Sequence, residues 1–437
     1  MSILKDPRWF GIHELEAFSS WAHGIPGDIF GRMRKGAPVV VGPPLLSLAG
    51  PSFSRTVVVA LRKDVLEVLD HPEVFSTRTY QYKFDTTVGK SVLGENNTAL
   101  NNVEKPSLRR LMPREDFPRI AKQVARLSRE SIAESAVVAP DAASGRRRAK
   151  LDLAGTVAEK VSLRLTGVYF GFPGPDEETM LRWAKAMPAD LRNLAGEIFT
   201  HEAAVKAAAE MKAYLAGLIR EKRAKPPLPG EGGDTILDRM LRPVDQGGPG
   251  LVDERVINST AGMLIGGGET IGIAALNSLA ELFKRPVQLA GAIAAARADD
   301  DGLLTQYVWE ALRFSPVHHL LPRYAEEEYT LAKGSSHETV IPRHSLVLVS
   351  TFSAMFDEAA VDAPDEFRLG RPDDVYLHMG HGQHRCLGDF VSLIAIPQMI
   401  KAVLLLKGVR LAAGTEGTNK YVGNGSAATF VIEYDPE

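Results

Sequence analysis

Apolar residues recur along this chain mostly at spacings of three and four, the mark of helices that bury one face. Pro118 to Glu134 carries that repeat, as do Leu151 to Tyr169, Glu177 to Met187 and Glu202 to Glu221. Thr56 to Leu61 (TVVVAL) reads as a short strand, and Asp64 to Leu69 continues from it as a helix. Val340 to Ser350, with its apolar Val347–Val349, reads as further strand. The longest apolar stretch runs from Asp253 to Lys284, helical in period and stopped by Pro286. Two segments break the pattern. Ala139 to Arg148 (APDAASGRRR) reads as a solvated turn, and Lys225 to Gly233 (KPPLPGEGG) as a linker ahead of a helix at Asp234. Strands few and short, helices many and long: the pattern predicts a mainly α, α+β fold.

Composition adds limits. The chain has 437 residues, 45% hydrophobic and 24% charged, with a formal net charge of -3. Length alone suggests about three domains at roughly 150 residues each, yet no composition break divides the chain, so a single domain over residues 1–437 is expected. No basic stripe marks a nucleic-acid partner. Met1 to Phe10 is mixed and charged, unlike a signal peptide. No run of about 18 apolar residues is uninterrupted, so no membrane span is expected. One cysteine rules out an intramolecular disulfide and suits a reducing cytoplasm.

That cysteine changes the picture. A lone thiol is by default a small buried hydrophobe, but Cys386 stands in Met379-Gly-His-Gly-Gln-His-Arg-Cys-Leu-Gly388. Gly380, Gly382 and Gly388 permit positive φ and close approach of backbone to another object. The apolar residues after Gly388 suit a buried helix, whose N-terminus favours negative charge on the sulfur; Pro397 is expected to kink it. His378, His381, His384 and Cys386 within nine residues are also donors of the kind zinc prefers. A structural zinc site, however, normally has two separated ligand pairs, and no second pair exists here.

Three further patterns carry chemistry. Glu310-Ala-Leu-Arg313 places a carboxylate and a guanidinium on one helical face. Gly266-Gly-Gly-Glu-Thr270 puts three glycines inside the longest helix, where each costs about 1 kcal/mol relative to alanine. A close neighbouring helix would explain them, and so would a local widening where small molecules must fit. Arg109 and Arg110 form a basic cluster after Lys105-Pro-Ser-Leu, ahead of the helix-breaking Pro113.

The stretch around Cys386 resembles the cysteine loop of the cytochrome P450 family, F-G-x-G-x-H/R-x-C-x-G, with Met379 in the place of phenylalanine. The resemblance extends in family order over Lys105 to Gly388. It implies a helix-rich triangular domain with a small β-sheet lobe, holding haem b (iron protoporphyrin IX). Cys386 is then the axial iron ligand, with Gly388 beside it and His384 reaching a haem propionate; a thiolate ligand pushes electron density onto iron and favours O–O cleavage, a property described for this family as a whole. Arg323 and Arg109 would meet the haem propionates, with Lys105 where the family has histidine. Glu310 and Arg313 would form the buried structural pair, completed by Arg371 or, alternatively, Arg368. Glu269 and Thr270 match the acid–alcohol pair that delivers protons to bound oxygen; Thr270 could instead bond back to a carbonyl one turn earlier.

By family position, the substrate pocket takes in Thr79 to Asn102, Leu264, Ile265, Gly266, His318, His319, Leu320, Leu321 and Gly423 to Ala428. His318 and His319 could hydrogen-bond a substrate or face away into the sheet. The implied reaction inserts one oxygen atom of O2 into a small apolar organic substrate. With no fused flavin or ferredoxin module, electrons are expected from a separate ferredoxin and its reductase, and the enzyme is expected in the cytoplasm, away from nucleic acid and membrane. Peroxide chemistry on the same haem, and a non-catalytic haem sensor, are the alternatives.

Overall fold

The structure, a computed structural model, describes residues 27–46, 51–96, 99–140, 147–194, 196–225, 234–413, 420–421 and 427–436. Its centre is a bundle in which the helix Asp389–Leu404 packs on Phe117–Ser135, Thr270–Phe283 and Asp301–Phe314. The last of these is joined to it by polar ties: Gln398 Nε2 donates to Asp301 Oδ2 at 2.7 Å, and Lys401 pairs with Asp301 at 2.6 Å. The apolar faces read from the periodicity meet here, with Val124, Leu279, Leu312 and Ile400 all in one core.

Beside the bundle lies a five-stranded sheet in the spatial order Val39–Gly42, Thr56–Val59, Leu346–Val349, Leu321–Ala325, Phe75–Ser76. All neighbours are antiparallel except Thr56–Val59 and Leu346–Val349, which run parallel with Val57 opposite Val347. Both strands of that pair are fully buried, as apolar runs without alternation require. The stretch Val340 to Ser350 holds two strands, Thr339–Ile341 and Leu346–Val349, parted by a turn in which His344 has φ +66°.

The helix read over Leu151 to Tyr169 begins later than its apolar repeat suggests. Leu151 belongs to the strand Arg147–Asp152, a π-turn covers Ala154–Ala158, and the α-helix proper is Glu159–Val168. The reason is visible in hindsight: along the strand Ala149 and Leu151 are buried while Lys150 is exposed, a period of two. Its partners are Val431–Tyr434 and Val137–Pro140, so Ala139–Arg148 is bounded by a strand pair rather than being wholly a turn; 141–146 lie outside the described residues. Residues 226–233 of the linker also lie outside them, and the helix that follows is Ile236–Leu241, capped by Thr235 with Asp238. The helix Asp389–Leu404 runs uninterrupted through Pro397.

The long apolar run is two helices, Asp253–Gly267 and Thr270–Phe283, parted at Gly268 and Glu269. Together they are long and apolar enough to cross a membrane, but 78% of their most apolar window is buried inside the protein. A Cβ on Gly272 would sit 2.4 Å from the Ala158 carbonyl oxygen of the π-turn, so this glycine lets two backbones touch. Gly268 is crowded too, with Ala184 3.3 Å from where its Cβ would be. Around Gly266 and Gly267, by contrast, nothing comes nearer than 3.9 Å.

The Glu310–Arg313 pair is fully buried. Arg313 Nη2 and Nε donate to the two Glu310 oxygens at 2.7 and 3.1 Å. The remaining donors of Arg313 reach the carbonyls of Met355, Pro364 and Glu366. Its plane lies between Phe314 and Phe356, 4.5 and 4.6 Å from their centroids. Arg371 Nε donates to Glu310 Oε1 at 3.0 Å and Tyr376 Oη to Oε2 at 3.2 Å. Arg368 supplies its backbone N–H to Glu310, while its guanidinium turns outward to Asp362. Arg371 is thus the third charged member. The network ties the irregular stretch 355–376, which leads into the cysteine loop, to the bundle.

Three substitutions test this packing. Gly272→Ala should lower stability by about 1–3 kcal/mol, the usual cost of overpacking, whereas Gly267→Ala should change it little; urea melts of both decide. Glu310→Ala strands buried guanidinium groups and should cost about 3–5 kcal/mol, giving protein that melts earlier and is isolated without the haem that the resemblance implies. Normal haem content in that variant would remove the network from the site's support.

Candidate functional site

Between the bundle and the sheet lies a cavity of about 340 Å³. One wall is the cysteine loop. It turns on Gly380 at φ +75° and Gly382 at φ +62°, the latter so close to the helix Arg62–Asp70 that a Cβ would lie 3.2 Å from the Leu69 carbonyl oxygen. The loop is closed by the Cys386 N–H donating to the Met379 carbonyl at 2.8 Å. Gly388 then caps the helix Asp389–Leu404. Cys386 is open to the cavity, although surrounded by protein mass. Burial pushes its thiol up from the ordinary value, against the Gly388 N–H, Lys105 and Arg385, which favour the thiolate.

Charge around the loop is organised in two sets. Asp389, in the first turn of the cysteine helix, accepts from Arg109 Nη2 at 2.7 and 2.9 Å and from Arg385 Nε at 3.0 Å. Arg109 also stacks 4.4 Å from the Phe390 centroid. This pairing turns Arg109 away from the cavity, contrary to the expectation for it. Lys105, one turn earlier, lines the cavity instead and donates to the carbonyls of Gln383 and Arg385. Arg323 lines it as well, its Nη1 bonded to the Pro322 carbonyl at 3.0 Å. Neither Lys105 nor Arg323 has a carboxylate at ion-pair distance among the described residues. Burial pulls Lys105 down to about 8 and Arg323 below its ordinary value. Burial, with Arg323 and Lys105 nearby, pushes His384 down to about 3, and its Nε2 is buried without a partner.

A second wall is the glycine-rich helix. Ser259, Gly262, Met263, Gly266, Gly267 and Thr270 line the cavity, a spacing of three and four that is one helical face. Ile265 joins them, but Leu264 points to the other side and packs with Trp183 and Met187. At the break, Glu269 has φ -120°, and the Thr270 hydroxyl donates back to the Gly266 carbonyl. Glu269 lies behind the wall with one oxygen 3.3 Å from Arg192 Nη2, both side chains buried. Arg192, the last residue of the helix Glu177–Arg192, lines the cavity and was not suggested by the sequence; no local pattern marks a residue brought from so far.

The two histidines divide. His318 is on the cavity wall with Val317 and Leu321, and burial, then Arg192, pushes it down to about 4, so it is neutral. His319 turns away, its ring 4.9 Å from Phe352, and Leu320 sinks into the core with Phe30 and Met33. Of the stretch His318 to Leu321 expected at the pocket, His318 and Leu321 line it, and His319 and Leu320 do not. The helix Arg78–Thr86 and the residues after it add Tyr80, Phe84, Ser91, Val92 and Leu93 to the lining. Residues 422–426, and the side chains of 427 and 428, lie outside what the structure describes, so Gly423 to Ala428 adds nothing to the wall.

The cysteine-loop histidines are not gathered for a metal. His378 packs against Trp309 at 5.2 Å, and His381 Nε2 lies 2.9 Å from Asp70. Among the described residues no three His, Cys, Asp or Glu side chains come together as an ion would need.

A scan against family models matches residues 177–406 to the family described as cytochrome P450, just over half the chain. The cyclomarin C epoxidase CymV of Salinispora arenicola (strain CNS-205) is 26% identical over 331 residues, 75% of this chain and 77% of that protein. The mycinamicin IV hydroxylase/epoxidase of Micromonospora griseorubida is 27% identical over 311 residues, 70% and 71% of the two. Among solved structures, CalO2 superposes with a TM-score of 0.74 at 21% identity, covering 94% of this chain and 96% of that one. The cytochrome P450 CYP109Q5 from Chondromyces apiculatus gives 0.73 at 20% identity, covering 98% and 99%. Helix-rich architecture, cysteine loop and family match agree, and the chain belongs to the cytochrome P450 family, whose cofactor is haem b.

Proposed function

We propose that this P450 is a monooxygenase that inserts one oxygen atom of O2 into an apolar organic substrate, with Cys386 as the axial ligand of the haem iron. The observation that carries this reading is the sharing of one cavity by Cys386, by cations without carboxylate partners, and by the open glycine face of the long helix. Haem b bears two propionates, and the cavity offers Lys105 and Arg323 as two cations, with the partnerless Nε2 of His384 beside them. That donor set fits the group's anionic edge. When bound, the haem supplies oxygen activation, which the protein alone cannot perform.

The chain's own residues then have definite tasks. The Gly388 N–H and the helix N-terminus hold negative charge on the Cys386 sulfur. Gly266 and Gly267 leave room above the wall where any side chain would intrude. Glu269 and Thr270 begin with their polar atoms engaged, by Arg192 and by the Gly266 carbonyl. Proton delivery in this reading requires exchange of those bonds for water. Outside the loop, Arg114 is exposed and lies 5.2 Å from the Phe390 centroid, which Arg109 also approaches at 4.4 Å. A basic rim of this kind favours an acidic electron donor such as a ferredoxin served by its reductase. We place the enzyme in the cytoplasm as a single domain.

The reduced, CO-bound protein should show the red-shifted Soret band of thiolate ligation, and Cys386→Ser should abolish it. A histidine-like spectrum would redirect the assignment to His378, His381 or His384. Thr270→Ala should keep cofactor consumption while losing most product to peroxide; unchanged coupling would mean that Thr270 only closes its helical turn. Lys105→Met should speed haem loss to apomyoglobin by about tenfold or more, since a hydrogen bond to a charged group is worth about 1.5–3 kcal/mol. Arg109→Met should do so less, because its partner is Asp389.

A further inference from the structure

One buried cation takes no part in the site beside the cysteine loop. Lys83 belongs to the helix Arg78–Thr86, whose Tyr80 and Phe84 line the cavity, but Lys83 itself does not line it. Its side chain is only 5% exposed. The ammonium donates to the carbonyls of Asp190 and Asn193, where the helix Glu177–Arg192 ends, and lies 3.7 Å from Asp190 Oδ1. A helix C-terminus leaves carbonyls without intrahelical partners and carries partial negative charge, so a cation is favoured there. Asp190 is buried as well, and its other oxygen lies 2.9 Å from His201 Nδ1 in the helix Ile198–Ala224. His201 in turn stacks on Tyr82, with ring centroids 6.0 Å apart. Asn193 and Glu197 exchange two hydrogen bonds, at 2.9 and 2.8 Å, across the connection between those helices. Lys83 thus gathers three helices at one point.

Two of these helices enclose the cavity. Tyr80 and Phe84 come from one, Pro188 and Leu191 from the other, and Phe84 shares an apolar cluster with Met187. Apolar side chains at the position of Lys83 would hold the helices together with no cost of desolvation. An ammonium is expensive to bury, and burial pulls Lys83 down to about 8, against the attraction of Asp190. When the helices part, water can take over every bond that Lys83 makes, so little is lost in the open form. A contact that is satisfied when closed and satisfied again by water when open behaves as a latch, not as core packing.

We infer that Lys83, with Asp190 and His201, latches the helix Arg78–Thr86 to the end of the helix Glu177–Arg192, and so sets how readily a bulky molecule enters or leaves the cavity. Lys83 is a positioning residue, acting through the walls that Tyr80, Phe84, Pro188 and Leu191 form. The inference rests on the haem-thiolate reading in that the iron reports entry. The charged and titratable groups facing Lys83 are Asp190 and, behind it, His201. Opening returns the ammonium to water, where its ordinary value is 10.5, whereas the closed form releases the proton near 8. Between those values the closed form binds fewer protons than the open one, so rising pH favours closure.

The test uses the haem-loaded protein and two iron ligands of different size, imidazole and the triaryl azole clotrimazole, with rates read at the Soret band by stopped flow. Lys83→Met leaves the buried Asp190 carboxylate without its ammonium. It should raise the association and dissociation rates of clotrimazole by about tenfold, the worth of a hydrogen bond to a charged group, and leave those of imidazole nearly unchanged. Adding Asp190→Asn should recover part of that change, because the two charges are coupled. In the unmodified protein, clotrimazole entry should slow by about threefold or more between about pH 7.5 and 9.5, and Lys83→Met should lose that slope. Equal effects on both azoles overturn the inference, as do unchanged clotrimazole rates in a Lys83→Met protein that keeps the thiolate CO spectrum. A missing or opposite pH slope in the unmodified protein overturns it too, and that measurement needs no variant to fold. Clotrimazole that binds only Lys83→Met is the extreme of the expected result; binding to neither protein overturns it. Loss of the CO spectrum in the unmodified protein is a different result, which refutes the haem-thiolate reading itself.

Discussion

Everything near the cysteine depends on one buried carboxylate. Glu310 sits in the helix Asp301–Phe314 with no exposure, and two guanidinium groups, a phenol and a backbone N–H converge on it. In water such a cluster would be worth little; inside the protein, losing the carboxylate leaves buried guanidinium groups unpaired. The stretch from Met355 to Tyr376 has little regular structure of its own: one 3₁₀ turn, Asp373–Val375, and otherwise turns and bends. Its carbonyls are fastened instead by Arg313 and Arg371. A segment without a sheet or helix to satisfy its backbone is thus held rigid by side chains, and the cysteine loop begins where it ends.

Backbone geometry performs the second task. On one wall, Gly380 and Gly382 in left-handed conformation bend the loop beneath the thiol. On the other, three consecutive glycines serve different ends. Gly268 yields to Ala184 and Leu264, while Gly266 and Gly267 face open space. The helix breaks between them and Thr270 because Glu269 leaves helical geometry and the threonine hydroxyl takes over a carbonyl. The π-turn Ala154–Ala158 presses on the same region through Gly272, so two irregular turns meet where the helix is interrupted. Irregular backbone of this kind is costly, and the surrounding core must enforce it.

Electrostatics then divides the cavity. Near the cysteine loop, Lys105 and Arg323 have no carboxylate at ion-pair distance among the described residues, whereas the guanidinium at the end of the helix Glu177–Arg192 is paired with Glu269. The same type of residue therefore has opposite meanings at two ends of one space. Lys105 and Arg323 offer charge to a bound group, and Arg192 is already satisfied by Glu269.

By itself the sequence determined the fold class, the cysteine loop, the Glu310–Arg313 spacing and the run of glycines at Gly266 to Gly268, though it read these as lying within one helix rather than at a break between two. These are local signals: periodicity, a run of glycines, a pair three residues apart. The cavity-facing row from Ser259 to Thr270 was also within reach, since helical phase alone separates it from Leu264. Tertiary structure decided the rest. Leu151 becomes strand because Val431–Tyr434 lies beside it, and Arg371 prevails over Arg368 because only its side chain points inward. Arg109 is claimed by Asp389, leaving Lys105 to line the cavity, and His318 and His319 part because one ring meets the cavity and the other packs on Phe352. In each case the deciding partner lies far away in sequence, and short-range pattern carries no record of which distant charge or surface a side chain will meet.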